Sequence, residues 1–415
     1  MTTGAAWAEA GSAVAVRGEG AGTPWGRTFA RERQDALSLY VHVPYCGHRC
    51  AFCDLSAGRP RTATEPAAYV EAVGREIARA AVEEAALTAR PVVSAYFGGG
   101  TPTALQPSAL VDILGRLRAH FALLPAAETS LEADPGTVDP DSLLALRAAG
   151  FNRVSFGVQS LDDGVLRRLG RTHDAARARA AVDWAVAAGF ERVSIDLILG
   201  LPGVSPATWR RTVQEVAGWP IGHVSVYALQ VEEGTAFGRL ERAGRLALPP
   251  DDLVVAMGDE AAAILARAGL RRYEISSYAR SGERCLHNEG YWTGRAYRGF
   301  GAGAHSYVDG ERRWNLRSPG RYIAALAGGR SALGGRERLV PQTARAEAAV
   351  LALRRDRGIE REPFRQAFGE DPALLFAEPL ARLAEAGLVV VGRTRVTLTP
   401  RGRWLYNRVG TALLP

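Results

Sequence analysis

No lysine occurs anywhere in the 415 residues, so the 51 strongly basic side chains are all arginine. That absence removes two chemistries outright, because a pyridoxal phosphate Schiff base and a P-loop phosphate site both require a lysine amine. The formal net charge is +7. Its arginines are nevertheless dispersed through acidic helical stretches such as residues 71–84, which reads as solvated surface and gives no reason to expect a nucleic-acid partner. Long apolar runs are missing as well. Hydrophobic residues make up 47% of the chain and charged ones 23%, and no uncharged stretch approaches the ~18 residues of a membrane span. Near the N-terminus Glu9, Arg17 and Glu19 interrupt Gly and Ala where a secretory signal would carry an apolar core. We therefore expect a soluble cytoplasmic protein, with at most a peripheral association with membranes. Cysteine is scarce too, four in all. In a reducing compartment these are better read as metal ligands or reactive thiols than as disulfides.

What is present is a repeated alternation. Short β-branched or aromatic runs begin near residues 38, 92, 129, 153, 192 and 223 (SLYVHV, VVSAYFGG, TSLEAD, RVSFGVQ, RVSIDLILG, HVSVYALQ), separated by Ala/Leu/Arg segments of helical period. Strand, helix, strand repeated in this way implies parallel strands joined by right-handed crossovers, as a doubly wound sheet or a barrel. No βα turn carries GxGxxG, which disfavours a dinucleotide site. The expected organisation is a leader over residues 1–36, the βα-repeat unit over 37–235, an extension over 236–327, a linker over 328–342 (GGRSALGGRERLV at its centre) and a C-terminal unit over 343–415. The last contains helices followed by LVVVGRTRVTLTPRG, two alternating strands around a Gly-Arg turn, which is the outline of a winged-helix-like domain.

Three of the four cysteines, Cys46, Cys50 and Cys53, fall within YVHVPYCGHRCAFCDL, residues 40–55. Structural zinc wants four closed ligands, and no second cysteine pair exists. A disulfide would strand one thiol, and buried structural cysteines fit poorly beside Gly47, His48 and Arg49. An iron-sulfur cluster held by thiolates is the remaining reading. Three local thiolates on a four-iron cubane leave one iron without a protein ligand, and open metal positions are where chemistry occurs.

The C-x3-C-x2-C spacing with Phe52 before the last cysteine resembles the signature of the radical S-adenosylmethionine (SAM) superfamily, in which SAM chelates the open iron. This resemblance implies a partial (β/α)6 barrel, with sites at the C-terminal strand ends. It further implies that Tyr40, Gly99, Gly100 and Thr101 (in FGGGTP), Glu132, Gln159, Arg171, Asp196 and Ala228 line the SAM pocket, with Cys46, Cys50 and Cys53 holding a [4Fe-4S] cluster. Read alone, Asp134, Asp162 and Asp196 are equally helix caps and Arg171 a surface ion pair. Over roughly residues 37–410 the chain looks like the oxygen-independent coproporphyrinogen III dehydrogenase group, whose heme chaperone branch shares its architecture. The dehydrogenases carry a fourth cysteine two residues after the third; here Leu55 stands in that position. CLHNEGYW, residues 285–292, resembles the chaperone HNxxYW motif, in which His287 would ligate heme. The resemblance thus implies a chaperone that binds heme, SAM and a [4Fe-4S] cluster and delivers heme to respiratory proteins, with no catalytic residue assigned. Oxidative decarboxylation of coproporphyrinogen III is the alternative. A DNA-binding sensor would leave the SAM residues without a purpose.

Overall fold

The computed structural model describes residues 35–55 and 57–415, so nearly all of the leader expected over residues 1–36 lies outside the described residues. Six strands, β1 (Leu37–Val43), β2 (Val92–Gly99), β3 (Leu123–Ala133), β4 (Arg153–Gln159), β5 (Arg192–Leu199) and β6 (His223–Ala228), run parallel and lie side by side in chain order. Helices such as Glu65–Glu83, Pro107–His120, Ala175–Ala187 and Pro206–Ala217 cross between them. The period-2 alternation of the strands sets the two faces. Leu37, Leu39, Val41 and Val43 of β1, with Ala95, Phe97, Val154, Phe156, Ile195 and Leu197, are buried in one core with Val73, Ile77, Leu110 and Leu114 of the covering helices. The intervening residues are polar or aromatic, for example Ser38, Tyr40, Ser94, Tyr96, Glu128, Glu132, Ser155 and Asp196. They form the concave face of an unclosed half-barrel, where a closed barrel would pack apolar layers.

The extension expected over 236–327 is built into this sheet rather than appended to it. Beyond β6 lie the antiparallel strands β7 (Arg271–Arg272) and β8 (Ser277–Ala279), with β8 next to β6. At the opposite edge β9 (Ala296–Phe300) pairs parallel with β1, followed outward by β10 (His305–Val308), β11 (Glu311–Asn315) and β12 (Leu333–Arg338). The last of these corrects the expected linker over 328–342, because Leu333–Arg338 pairs antiparallel with β11. Gly334, Gly335, Arg336 and Arg338 give this segment a linker-like composition, and the same residues suit an exposed edge strand that must resist further pairing.

The glycines of GAGAHSY, residues 301–307, permit a close approach. Gly301 has φ +100°, and a Cβ there would lie 2.4 Å from the Tyr69 hydroxyl. The buried Glu76 carboxylate secures the approach by accepting from Gly301 N (3.0 Å), Tyr322 Oη (2.6 Å), Asn315 Nδ2 (2.9 Å) and Arg298 Nη1 (3.1 Å). Every one of its lone-pair directions is thus used, as a buried charge requires.

The C-terminal unit has its own core, including Ala349, Leu353, Phe364, Leu380, Val396 and Val409, around the three-stranded sheet β13 (Ile359–Glu360), β14 (Val389–Val391) and β15 (Arg395–Leu398). Helices Pro341–Leu353, Arg361–Phe368 and Ala377–Glu385 complete the winged-helix-like outline. Ile275 of the extension joins this core, and Asp356 N donates to Tyr273 O at 2.9 Å. Among the described residues, no helix is long and apolar enough to cross a membrane.

Candidate functional site

The loop after β1 brings the three cysteines across the C-terminal ends of the strands. Ala51 pins it by donating its N–H to Leu169 O (2.9 Å) and accepting from Phe237 N (2.9 Å). Cys46, Cys50 and Cys53 are all free and only partly buried. They line one cavity of about 260 Å³ with Gly99, Gly100, Thr101, Glu132, Gln159, Arg171 and Asp196. Cys46 Sγ is 3.2 Å from Thr101 Oγ1, and Arg171 Nη1 donates to Cys50 Sγ at 3.3 Å. Burial pushes the Cys46 and Cys53 thiols up. Among the described residues no group of three His, Cys, Asp or Glu side chains gathers around a single metal position. A cubane asks for something different, namely thiolates set around a body whose irons are separate ligation points. The donor set fits such a cluster with one iron left open: three thiols on one loop facing one cavity, with Leu55 46% exposed where a fourth cysteine would stand.

The strand ends supply the rest. Glu132 accepts from Tyr96 Oη (2.8 Å) and from Gly99 N (3.1 Å). Gly99 has φ +111°, and a Cβ there would sit 2.6 Å from the His42 ring; one on Gly100 would sit 2.6 Å from Tyr45 O. The glycines therefore allow the backbone to pass close beneath the cavity. Burial, with Asp196 adding repulsion, pushes the Glu132 carboxyl up to about 7. Asp196 is likewise raised by burial, to about 6. Gln159 ends β4 at φ 68°, where the β4–β5 register also shifts. That left-handed conformation is uncommon for a side chain other than Gly, Asn or Asp and marks a position held by its surroundings.

The helix-cap reading holds for Asp162, which accepts from Val165 N at 2.8 Å. It fails for Asp196, which lies within β5 on the cavity wall beside Ser155 (3.4 Å). Asp134 does both, accepting from Gly136 N at 2.7 Å while Arg171 Nη2 lies 2.7 Å from its other oxygen. Arg171 is thus a buried ion pair beside Cys50 rather than a surface one.

A second cavity of about 590 Å³ adjoins the first, sharing Phe52, Cys53, Leu55, Glu132, Gln159, Asp196 and Tyr227 with it. Tyr40, Ala228, His287, Asn288, Tyr291 and Trp292 line its far part. His287 belongs to the short helix Leu286–Trp292 and is 1% exposed. Its Nδ1 is 3.1 Å from Ser94 Oγ and its Nε2 2.9 Å from Tyr291 Oη, so both ring nitrogens are engaged. The ring stacks on Tyr96 at 4.9 Å and lies 6.3 Å from Tyr40. Burial pushes it down to about 3, which keeps it neutral, the form in which imidazole binds metal. Cys285 is fully buried and does not line the cavity; burial raises its thiol to about 12.

Several functional contacts carried no motif. Tyr96 could have been found from its place between Ser94 and Gly98 on the concave face of β2. Glu128, two positions below Ser130 on β3, caps the helix bearing His287 by accepting from Leu286 N (2.9 Å) and His287 N (3.1 Å). Burial would raise this carboxyl, but Arg153, Arg192 and those two N–H groups hold it below its ordinary value. Arg354, from the C-terminal unit, reaches the cavity with its guanidinium 4.2 Å from the Trp292 ring centre. Nothing in its local sequence announces that.

Fold and site together define an α/β half-barrel of the radical SAM class. Residues 40–216 match the radical SAM superfamily and residues 339–405 the HemN C-terminal domain. Along the chain, the heme chaperone HemW of Mycobacterium tuberculosis is 38% identical over 380 residues, 91% of this chain and 95% of that protein. The heme chaperone HemW of Bacillus subtilis is 33% identical, covering 91% and 99%. The solved structure of Escherichia coli coproporphyrinogen III oxidase (HemN), a radical SAM enzyme, superimposes with a TM-score of 0.79 at 27% identity, covering 92% of this chain and 91% of that one. The chain belongs to the HemN-like group of the radical SAM superfamily, the group that includes these HemW chaperones.

Proposed function

We infer that the protein is a cytoplasmic heme chaperone that binds heme beside a [4Fe-4S] cluster and SAM and passes the heme to respiratory proteins. The observation that carries this reading is that two adjoining cavities share a wall, one lined by the three cysteines and the other by His287, Tyr291 and Trp292. Cys46, Cys50 and Cys53 would hold the cluster. When bound, the cluster supplies an open iron to which the SAM amino and carboxylate groups can attach. Glu132 and Asp196 carry negative charge toward the cationic SAM. Gly99, Gly100 and Thr101 give backbone access, Tyr40, Gln159 and Ala228 shape the pocket, and Arg171 counters thiolate charge at Cys50. His287 would hold heme iron through its imidazole once freed from the Tyr291 hydroxyl, with Tyr291 and Trp292 offering aromatic surface to the tetrapyrrole.

A second reading, oxidative decarboxylation of coproporphyrinogen III, is favoured by the near-complete superposition on HemN. Against it stands Leu55, in the place where the dehydrogenases carry their additional cysteine. Anaerobic protein with a reconstituted cluster, supplied with SAM, reductant and coproporphyrinogen III, is expected to leave the porphyrinogen intact and, in a separate titration, to bind heme. Decarboxylated product above a cluster-free control would replace the first reading with the second.

A further inference from the structure

In the larger cavity, three hydrogen-bonding side-chain atoms from three separate segments are left without a protein partner. They are the Trp292 indole Nε1, the Arg354 Nε and the Ser276 hydroxyl, all shielded from solvent. All three residues line the cavity. Buried donors without acceptors are uncommon in folded proteins, and each asks for an explanation. Here three of them belong to residues that line one cavity, and all three can donate, which is a set that suits an anion.

The guanidinium gives that anion a shape. Arg354 is 9% exposed and lies between the Trp292 ring at 4.2 Å and the Tyr406 ring at 5.3 Å, with Nη2 3.3 Å from Glu274 Oε2. Glu274 is itself held by Ser276 N, which donates to Oε1 at 3.0 Å. The guanidinium is thus held by Glu274 through Nη2 and by the Tyr406 hydroxyl, while its Nε atom has no partner. A planar fork with a free Nε–H matches a carboxylate in a way that a point charge does not.

We propose that Arg354, Trp292 and Ser276 form a carboxylate-binding corner that takes a propionate of the tetrapyrrole in this cavity. The assignment rests on the heme reading above and adds to it a recognition element supplied by the C-terminal unit. The incoming carboxylate takes the Nε–H of Arg354 and the indole N–H as the indole and guanidinium part, and it competes with Glu274 for the guanidinium. The methionine carboxylate of SAM has the same chemistry, but it is expected at the cluster end, on the far side of Glu132 and Asp196.

The test compares heme with heme dimethyl ester, whose propionates are capped, by anaerobic absorbance titration of the full cluster-bearing chain. Wild type is expected to prefer the free acid by about tenfold, as fits a charge-assisted hydrogen bond. Arg354→Gln is expected to weaken acid binding until the preference falls below about twofold while ester binding is retained. Trp292→Phe keeps the arginine and an aromatic ring but removes the N–H together with part of the ring area. The lost area affects acid and ester alike, so the preference is expected to narrow by about threefold even if Arg354→Gln folds poorly. The SAM-induced change in the cluster spectrum should be unaltered in both variants. An undiminished preference in both variants would overturn the corner and leave the heme reading standing. Lost SAM response with intact heme preference would assign the corner to SAM and overturn the proposal. Wild type that binds neither heme nor ester would overturn the heme reading and, with it, the corner.

Discussion

At one end of the site the three cysteines are partly exposed and lightly held, with Cys50 reached by Arg171 and Cys46 by Thr101. At the other end His287 is 1% exposed, engaged at both nitrogens and stacked on Tyr96. A ligand set of the first kind gives up little when metal arrives. One of the second kind must break a hydrogen bond of about 0.5–1.5 kcal/mol and disturb an aromatic contact of similar size before it can bind. The contrast suits a resident cluster at the loop and a heme that is taken up and released at the helix.

The comparison is broken most severely at the thiols. Anaerobically purified protein is expected to carry close to four irons and four sulfides per chain, as a cubane dictates. Cys46→Ala, Cys50→Ala and Cys53→Ala should each abolish the cluster, whereas Cys285→Ala, which lies on another segment and does not line the cavity, should retain the iron. Iron and sulfide assays check this, and iron loss in Cys285→Ala would contradict the three-thiol assignment.

At the helix end, removing the imidazole removes a coordinate bond, so His287→Ala is expected to weaken heme binding by at least about tenfold or to change the heme absorbance bands. Tyr291→Phe should do the opposite. It keeps the ring but frees Nε2 from the hydroxyl now 2.9 Å away. Heme affinity should then rise by up to about fivefold, the equivalent of one modest hydrogen bond. Unchanged heme binding in both variants would move the search for the iron ligand to Cys285, His42 or His305. Among these, Cys285 is fully buried, His42 bonds Tyr40 Oη at 3.0 Å, and His305 is exposed on β10.

What the sequence made legible follows the same division. Five of the six strand starts could be read because a βα unit is set by local pattern, whereas β3 begins at Leu123 rather than near residue 129. Glu132 and Gln159 sit at strand C-termini, and Asp196 lies on the cavity wall within β5. The far end is assembled across long sequence separations: β9 joins β1, Glu128 on β3 caps the helix bearing His287, and Arg354 arrives from the C-terminal unit. No local period encodes those meetings. The edge strand Leu333–Arg338 escaped for a different reason, since charge and glycine suit both a linker and a protected edge.

Between the two ends, Glu132 and Asp196 make a pH test. Glu132 is pushed up to about 7 and Asp196 to about 6, burial being the larger cause in each. SAM is cationic at its sulfonium and amino groups, so it favours the ionised carboxylates. Its affinity should be level above pH 8 and fall as pH drops through 7 and then 6, followed by the SAM-induced spectral change. Glu132→Gln should cost about tenfold at pH 8 and leave only the lower step. The stability sign is opposite. A carboxyl raised above its unfolded value imposes a penalty that is absent below the unfolded value and complete above the folded one. Glu132→Gln should therefore stabilise the SAM-free protein at pH 8 by on the order of 1–3 kcal/mol, and by nothing near pH 4. Equal denaturation midpoints at both pH values would contradict this.

The smallest expected effect lies at Gln159, where the chain turns at φ 68° between the two cavities. A left-handed backbone costs an ordinary residue about 1–2 kcal/mol, and a short amide side chain such as Asn tolerates it better. Gln159→Asn should therefore raise stability by about 0.5 kcal/mol, read as a higher denaturation midpoint of the SAM-free protein. The shortened side chain reaches less far into the cavity, so SAM affinity should fall by about threefold, as expected for one weakened neutral hydrogen bond. A gain in stability with a loss in affinity would show that the strain at the end of β4 is maintained for the ligand. If stability rose while SAM bound as before, Gln159 would be a tolerated irregularity of the strand end, and the pocket would be shaped by Glu132, Asp196 and the glycines alone.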